Sequence, residues 1–264
     1  LVNNLGCVHQ GEGDNYLAMT CFEQALHIDQ EVGDRAGMSA ALTNLGIAYH
    51  RLGEFERARA TYEQAIQLCA EIGQWAAGAG VISNLGLLYY HQGNYESASQ
   101  YQLQATRIAR EHNEVTLLSY PLVRLGQVYL ALKRYPEAEQ CCQEAIQYRI
   151  ASNRADLNLD PLACLARLAL AQEDLPRAVQ YCEKLLNQCH NVIFDDDTDD
   201  PFWVYLSLYL VFDAAKDERA GHTLRTAYTE LRKRANAIPD LEIRLSYLEN
   251  LPSIRLINQI CLDD

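Results

Sequence analysis

One tripeptide recurs along this chain at a fixed interval of 40 residues. Asn4-Leu5-Gly6 returns as Asn44-Leu45-Gly46 and as Asn84-Leu85-Gly86, and Arg124-Leu125-Gly126 keeps the last two residues. Two columns of alanine keep the same interval, namely Ala18, Ala58, Ala98, Ala138 and Ala178, and Ala25, Ala65, Ala105 and Ala145. A period of about 20–50 residues is typical of a solenoid built from stacked repeats.

Each repeat predicts a pair of helices. In the second repeat, Asp34 can cap a helix A that carries an apolar stripe and stops at Gly53. A second stripe with three- and four-residue spacing predicts a helix B that ends at Gly73. Gly46 and Ala58 are small where two helices of a hairpin must approach closely. We therefore expect an antiparallel helix pair in each repeat.

The pattern Leu-Gly-x-x-Tyr, then Gly-Glu-Phe-x-x-Ala and Tyr-x-x-Ala, in residues 45–65 resembles the tetratricopeptide repeat in its longer form of about 40 residues. The second and third repeats match best. The fourth and fifth repeats match less well, and in the fifth Leu165-Ala166 replaces Leu-Gly. The first repeat has His9 in the column of Tyr49. The resemblance implies an all-α, right-handed superhelical solenoid of antiparallel helix pairs.

The register divides the chain into three parts. Repeats 1–5 occupy residues 1–190, with the first truncated at its N-terminus, because the chain opens inside a helix A and without Met. Two inserted residues in an acidic loop precede a degenerate sixth hairpin within residues 191–238, whose helix A begins at Pro201. The register is lost after Pro239, and we expect residues 239–264 to form C-terminal capping helices. The opening suggests a segment of a longer protein.

Composition excludes several classes of protein. Hydrophobic residues make up 49% of the chain, but no run of about 18 apolar residues predicts a membrane span. The formal net charge of −13 does not favour binding to nucleic acid, because the phosphate backbone is also negatively charged. We therefore expect neither membrane nor nucleic-acid binding, whereas basic partners could meet the acidic loop at residues 195–200.

The nine cysteines predict free thiols. Cys142 and Cys182 share one repeat column with Phe22 and Tyr62, which indicates a packing role. An odd number of cysteines without paired spacing favours a reducing compartment, so we expect a cytoplasmic protein.

Motifs for catalysis, metals or cofactors are missing from the sequence. It has no phosphate-binding Gly-rich loop, no His-Glu-x-x-His and no Gly-x-Ser-x-Gly. Asp195-x-Asp197-x-Asp199 resembles the start of a calcium loop, but Asp200 replaces the required Gly and Leu206 the required Glu. The cluster of Cys182, Cys189 and His190 lacks a fourth ligand. We predict a protein that is not an enzyme and holds no cofactor.

A binding surface remains as the candidate functional site. In the tetratricopeptide family the A helices line the concave groove, and the residue before Leu-Gly faces it. By this resemblance the predicted groove residues are Asn4, Thr43, Asn44, Ile47, His50, Arg51, Ser83, Asn84, Leu87, Tyr90, His91, Arg124 and Gln127. An Asn amide can donate and accept at once, which suits a peptide backbone. Similar Asn columns hold peptides in kinesin light chain-like and Rap/PlcR-like repeat proteins. The alternative is that these amides bond to a neighbouring helix.

The resulting interpretation is a scaffold that binds a peptide or protein segment in its groove. The stretch Ala237-Ile238-Pro239-Asp240, with Arg244 and residues 247–250, resembles the closing segment of tetratricopeptide tails on large bacterial signalling ATPases and transcription activators. This resemblance implies a sensor arm that controls an upstream nucleotide-binding module of the same chain. The competing interpretation is a structural array that self-associates through its exposed ends.

Overall fold

A computed structural model describes residues 1–153, 159–188, 198 and 200–263, and all regular structure in these residues is α-helical. The all-α class predicted from the sequence is therefore confirmed. The helices are α1 Val2–Gly11, α2 Asn15–Val32, α3 Arg35–Arg51, α4 Phe55–Glu71, α5 Trp75–His91, α6 Tyr95–Glu111, α7 Val115–Ala131, α8 Tyr135–Ala151, α9 Leu159–Ala171, α10 Leu175–Gln188, α11 Pro201–Ala214, α12 Arg219–Ala237, α13 Leu241–Asn250 and α14 Pro252–Asp263. None of these helices is both long and apolar enough to cross a bilayer.

The second repeat folds as its sequence predicts. The Asp34 carboxylate accepts hydrogen bonds from the backbone N–H groups of Ala36 and Gly37, at 3.1 and 2.9 Å, and so caps α3. Helix α3 ends before Gly53 and α4 before Gly73, at the two predicted stops. Odd-numbered helices from α1 to α9 are thus A helices, and each is followed by its B helix.

A glycine in each of the A helices α1, α3, α5 and α7 lets the two helices of a hairpin come into contact. A Cβ atom added to Gly46 would lie 2.6 Å from the ring of Tyr62, which is fully buried in α4. A Cβ atom added to Gly6 would lie 2.5 Å from the ring of Phe22, and one added to Gly126 would lie 2.6 Å from Sγ of Cys142. The column that holds Cys142 therefore packs against the Leu-Gly glycine, which confirms the packing role predicted for Cys142.

The chain forms two compact units. The first comprises Leu1–His112 and Lys233–Pro252, and the second Asn113–Arg232 and Ser253–Asp264. In the first unit each helix from α1 to α5 contacts the next one along the chain, and the A helix α3 also contacts α1 and α5. In the second, α9 packs against α7, α8, α10 and α11. The right-handed twist and the three predicted sequence segments stay predictions.

Helix α11 begins where the sequence predicts helix A of the sixth hairpin. Helix α11 starts at Pro201, and the Asp200 carboxylate caps it by accepting the N–H of Trp203 at 3.0 Å. Ala220 and Ala227 in α12 are buried, as their mapping onto the alanine columns requires. The rest of the acidic loop, residues 191–197 and 199, lies outside the described residues.

Within the first unit, α13 packs on the turn of the second hairpin, and Arg234 at the end of α12 packs on the turn of the first. Nδ2 of Asn250 donates a hydrogen bond to the carbonyl oxygen of Gly53 at 3.0 Å. A Cβ atom on Gly53 would clash with the carbonyl oxygen of Ser246, and one on Gly13 would lie 2.6 Å from Cζ of Arg234. Helix α13 thus belongs to the first unit, whereas α14 from Ser253 onward belongs to the second.

Close contact, in addition to backbone conformation, explains the glycine at position 53. The turn between helices A and B has a positive φ in every repeat, at Gly13, Gly53 and Gly93 and also at Lys133 (φ 59°) and Glu173 (φ 62°). Side chains other than glycine are therefore tolerated where nothing packs on the turn. At Gly53 the backbone of α13 fills the space that a side chain would need.

We predict that Gly53→Ala lowers the free energy of unfolding by about 2–4 kcal/mol, because it adds a clash with α13 to the strain of a positive φ. Gly93→Ala is the matched control, since Gly93 has the same φ of +78° and nothing within 4 Å of an added Cβ. The Gly93→Ala variant should lose about 1 kcal/mol of unfolding free energy. Chemical denaturation followed by circular dichroism measures both values, and equal losses would contradict the contact.

Cysteine reactivity should follow burial. The eight cysteines within the described residues are free thiols, of which Cys7 is exposed. Burial raises the pKa of the Cys182 thiol to about 12, so little thiolate is present near neutral pH. We predict that iodoacetamide labels Cys7 of the native protein at least about tenfold faster than Cys142 or Cys182. Mass spectrometry of digests measures the rates, and equal labelling of the three would contradict the packing assignment.

Candidate functional site

The A helices of the first unit share one lengthwise face. Its positions are spaced three and four residues apart, so their side chains project from the same side of each helix. They are Asn4, Cys7 and Gly11 in α1, Asn44, Ile47 and Arg51 in α3, and Asn84, Leu87 and His91 in α5. All of them except Leu87 are exposed or half-buried. We call this surface the A-face.

Asn44 links α3 to α1. Its Nδ2 donates to Oδ1 of Asn3 at 3.2 Å and, more weakly, to Sγ of Cys7 at 3.7 Å. The side-chain oxygen Oδ1 of Asn44 accepts no hydrogen bond from the described residues. An amide oxygen has two lone pairs, so the nitrogen of Asn44 braces the neighbouring helix while its oxygen remains available as an acceptor on the A-face.

Two histidines link α3 to α5. Nε2 of His50 and Nδ1 of His91 are 2.9 Å apart, so one ring donates a hydrogen bond and the other accepts it. His50 is buried, with its ring nearly perpendicular to those of Phe55 and Tyr62 at centroid distances of 5.7 and 6.4 Å. The bond requires at least one unprotonated nitrogen, because two imidazolium rings would repel each other. The pair thus holds neighbouring A helices together.

Aromatic rings border the A-face next to this histidine pair. The ring of Tyr90 lies 5.7 Å from the rings of both Tyr95 and His91, tilted by 50° and 51°. Tyr90 is half-buried, so it offers apolar ring surface beside the polar column. Such tyrosines are common at protein-binding surfaces, where they provide contact area together with a hydroxyl group.

Ser83 does not lie on the A-face, although the sequence predicts it there. It is buried, and its Oγ donates to Oε1 of Gln102 at 2.6 Å. Nε2 of Gln102 in turn donates to the carbonyl oxygen of Ser83 at 2.8 Å. Gln102 stands in the column of Phe22 and Tyr62, and a buried amide there needs hydrogen-bond partners. Ser83 supplies them inside its own hairpin.

The remaining predicted residues divide by burial. Thr43 and Arg51 are half-buried, and Oγ1 of Thr43 donates to the carbonyl oxygen of Ser39 in its own helix at 2.8 Å. Arg124 and Gln127 belong to α7 of the second unit and are buried, so their side chains are not open to a ligand in this structure. The structure therefore does not place them on a binding surface, contrary to the prediction.

The sequence analysis missed Cys7 on the A-face and Asn3 beside it. Asn3 accepts the hydrogen bond of Asn44, and Cys7 contacts the same amide. The register contains a signal for both. Asn3 shares a column with Thr43, and Cys7 shares one with Ile47, and both of these were predicted to line the groove.

The second unit has an open cleft of about 450 Å³ among α8, α9 and α10. Its floor is apolar, and Lys184 is the charged residue of its lining. The lining residues are Gln143, Ile146, Ile150, Leu162, Leu165, Tyr181, Lys184, Asn187 and Gln188. This cleft includes none of the predicted groove residues, because it involves the B helices α8 and α10.

The described residues bring together no group of three or more His, Cys, Asp or Glu side chains that could hold a metal ion. Two of the metal candidates weighed from the sequence, Cys189 and His190, lie outside the described residues. So do Asp195, Asp197 and Asp199. Asp200 is described, and it serves as the helix cap of α11.

Solved structures with the same fold have low sequence identity to this chain. The Rap conjugation gene regulator of the plasmid pLS20, solved with the Phr* peptide, is 14% identical with a TM-score of 0.72, over 97% of this chain and 73% of that chain. A Podosopora anserina protein described as a putative kinesin light chain with nearly identical TPR-like repeats is 18% identical with a TM-score of 0.55, over 71% of this chain and 92% of that chain. At such identities these structures show the fold alone.

A third solved structure is a STAND protein with a tetratricopeptide repeat sensor from Pyrococcus horikoshii. It is 17% identical with a TM-score of 0.58, over 87% of this chain but 35% of that chain. No relative among curated protein sequences is detectable. Residues 6–204, however, match the MalT-like TPR region, which covers most of the chain. Together with the repeated hairpins, this match confirms the tetratricopeptide resemblance: the chain belongs to the MalT-like TPR region family.

Proposed function

We propose that the A-face binds an extended peptide or protein segment. The observation that carries the proposal is the Asn44 amide, whose nitrogen is held by Asn3 while its oxygen is available as an acceptor. A fixed acceptor loses little conformational entropy when it binds a backbone N–H group. Tyr90 and Ile47 add half-buried apolar surface near it, which suits side chains of a bound segment.

The fold gives independent support. The Rap regulator of pLS20 was solved with a peptide, and another Rap protein was solved with Competence and Sporulation Factor. The second protein is 14% identical to this chain, with a TM-score of 0.68 over 99% of it and 75% of that chain. By analogy with these folds, we propose that this chain also binds a peptide.

A regulatory setting is part of the same proposal. A tetratricopeptide sensor occurs in the STAND protein with this fold, and the segment around Pro239 resembles the end of such tails. In this setting a ligand on the A-face would shift the equilibrium of an attached nucleotide-binding module. Ligand-dependent nucleotide hydrolysis by the full-length gene product tests it, and a rate that ligand leaves unchanged would oppose it.

Self-association is the alternative function. The supporting observation is that Leu5 and Val8 of α1 are apolar and exposed. Sedimentation equilibrium over a range of concentrations separates the two functions. A dimer that Leu5→Ser dissociates, together with an A-face that selects no peptide, would favour the alternative.

We predict that Asn44→Ala and Asn44→Asp differ more in binding than in their effect on packing. Both lose the N–H group that donates to Asn3, so both should lower the melting temperature, the aspartate variant by less because the Asn3 amide can rotate and donate to its carboxylate. Asp keeps an oxygen acceptor, whereas Ala does not. For a peptide selected from a displayed library of random linear peptides, Asn44→Ala should weaken binding about two- to tenfold, as expected for one lost hydrogen bond. Asn44→Asp should retain binding.

Fluorescence anisotropy with the labelled peptide measures the affinities, and a thermal melt measures the packing effect. Gln64→Ala, at an exposed position on the B helix α4, controls for loss of an amide outside the A-face and should change neither. If Asn44→Ala and Asn44→Asp bind as tightly as the unchanged protein and only melt lower, the Asn column is a brace between helices. The assignment of the A-face would then be withdrawn.

A further inference from the structure

The cleft of the second unit combines an apolar lining with one charged residue, Lys184. It has a volume of about 450 Å³ and lies among α8, α9 and α10. Its apolar lining includes Ile146 and Ile150 of α8 and Leu162 and Leu165 of α9. Ile150 is 56% exposed, so the cleft offers apolar surface that the fold itself does not bury. Volumes of this size are typical of sites for small ligands.

Lys184 is placed to pair with an anion. It is exposed, and no carboxylate of a described residue lies within ion-pair distance of its ammonium group. The ammonium nitrogen lies 5.3 Å from the centre of the Tyr181 ring, so a cation–π contact holds it at the cleft. Glu139, which accepts a hydrogen bond from Gln143 of the lining at 3.0 Å, is already paired with Arg177. An anionic group in the cleft therefore meets a cation that these acidic groups do not neutralise.

The repeat register marks Lys184 and Gln188 of α10 as exceptions. In the four preceding B helices the column of Lys184 contains no cation, and its residues are Gln24, Gln64, Gln104 and Glu144. In the same helices the column of Gln188 is apolar throughout, and its residues are Ile28, Leu68, Ile108 and Tyr148. The stacking of hairpins therefore does not account for either polar residue of α10.

The side chain of Gln188 supplies an acceptor next to Lys184. Its Oε1 atom is buried and accepts no hydrogen bond from the described part of the chain. Buried polar groups in folded proteins are nearly always hydrogen-bonded. Gln188 lines the cleft one helical turn after Lys184, on the same side of α10. A ligand with an anion at Lys184 can therefore donate an O–H or N–H group, a few atoms away, to Gln188.

We propose that this cleft binds a small amphipathic carboxylic acid. The carboxylate pairs with Lys184, a hydroxyl or N–H group close to it donates to Oε1 of Gln188, and the apolar body lies against Ile150 and the leucines of α9. One lysine matches the single charge of a carboxylate, whereas phosphate groups are usually held by several cations or backbone N–H groups. The cleft shares no residue with the A-face, so this proposal does not rest on the proposed function.

β-Hydroxydecanoic acid is the probe, because it has one carboxylate, one nearby hydroxyl group and an unbranched apolar body. Its methyl ester lacks the charge, and decanoic acid lacks the hydroxyl group. Titrations followed by heteronuclear NMR measure the three affinities. The probe should bind about two- to fivefold more tightly than its ester, as expected for an exposed ion pair. It should bind about two- to tenfold more tightly than decanoic acid, as expected for one hydrogen bond.

Substitutions assign the binding to the cleft. Lys184→Gln should weaken binding of the acid about two- to fivefold and leave binding of the ester unchanged. Lys216→Gln is the matched control, since it removes the same charge at an exposed position outside the cleft, and it should change neither affinity. Ile150→Gln places an amide on the apolar lining and should weaken both ligands. Because Ile150 is mostly exposed, this variant should keep its fold, which circular dichroism checks.

Three results would overturn the proposal. The first is equal binding of the acid and its ester, or binding of the acid that Lys184→Gln leaves unchanged. The second is a titration with the acid in which the side-chain amide signals of Gln143, Asn187 and Gln188 do not shift. The third is a shift of these signals with protein concentration alone, which would assign the cleft to a second copy of the chain. Equal binding of decanoic acid would contradict the hydrogen bond assigned to Gln188.

Discussion

The fold depends on how closely the two helices of each hairpin approach. Where Gly46 meets the ring of Tyr62, no side chain intervenes between helix A and helix B. A buried aromatic ring on one helix and bare backbone on the other form a contact that either residue alone could not make. Every hairpin built this way presents its A helix at a constant spacing to the next. The polar columns along the A helices lie in register for that reason.

The same contact tolerates a change of chemistry when a partner is supplied. Gln102 replaces the aromatic residue in the third hairpin, and it is fully buried without loss of the glycine contact at Gly86. Its amide oxygen accepts from Ser83, and its amide nitrogen donates to the backbone of the same residue. The desolvation that would otherwise oppose a buried amide is thus offset locally. Ser83, which the sequence predicts to face the groove, is therefore used for folding inside its hairpin.

Local, repeated contacts are what the sequence allowed us to predict. The 40-residue register reveals the helix pairs, the cap of α3 by Asp34 and the packing of Cys142. Each of these depends on neighbours within one or two repeats. The site was predicted less well. Asn44 and His91 lie on the A-face, but Ser83 does not, because its environment depends on Gln102 rather than on its column. The packing of α13 on Gly53 could not be predicted, since the register ends before α13 and a contact between distant segments leaves no periodic signal.

That distant contact changes how this array can fold. In a simple solenoid each repeat depends on its neighbours alone, so the N-terminal repeats can reach their final state during synthesis. Here the hydrogen bond from Asn250 to Gly53 joins residues 197 positions apart. The second hairpin therefore completes its packing only after α13 has been made. Closure of so long a loop slows this step of folding, because its entropic cost must be met before the contact forms.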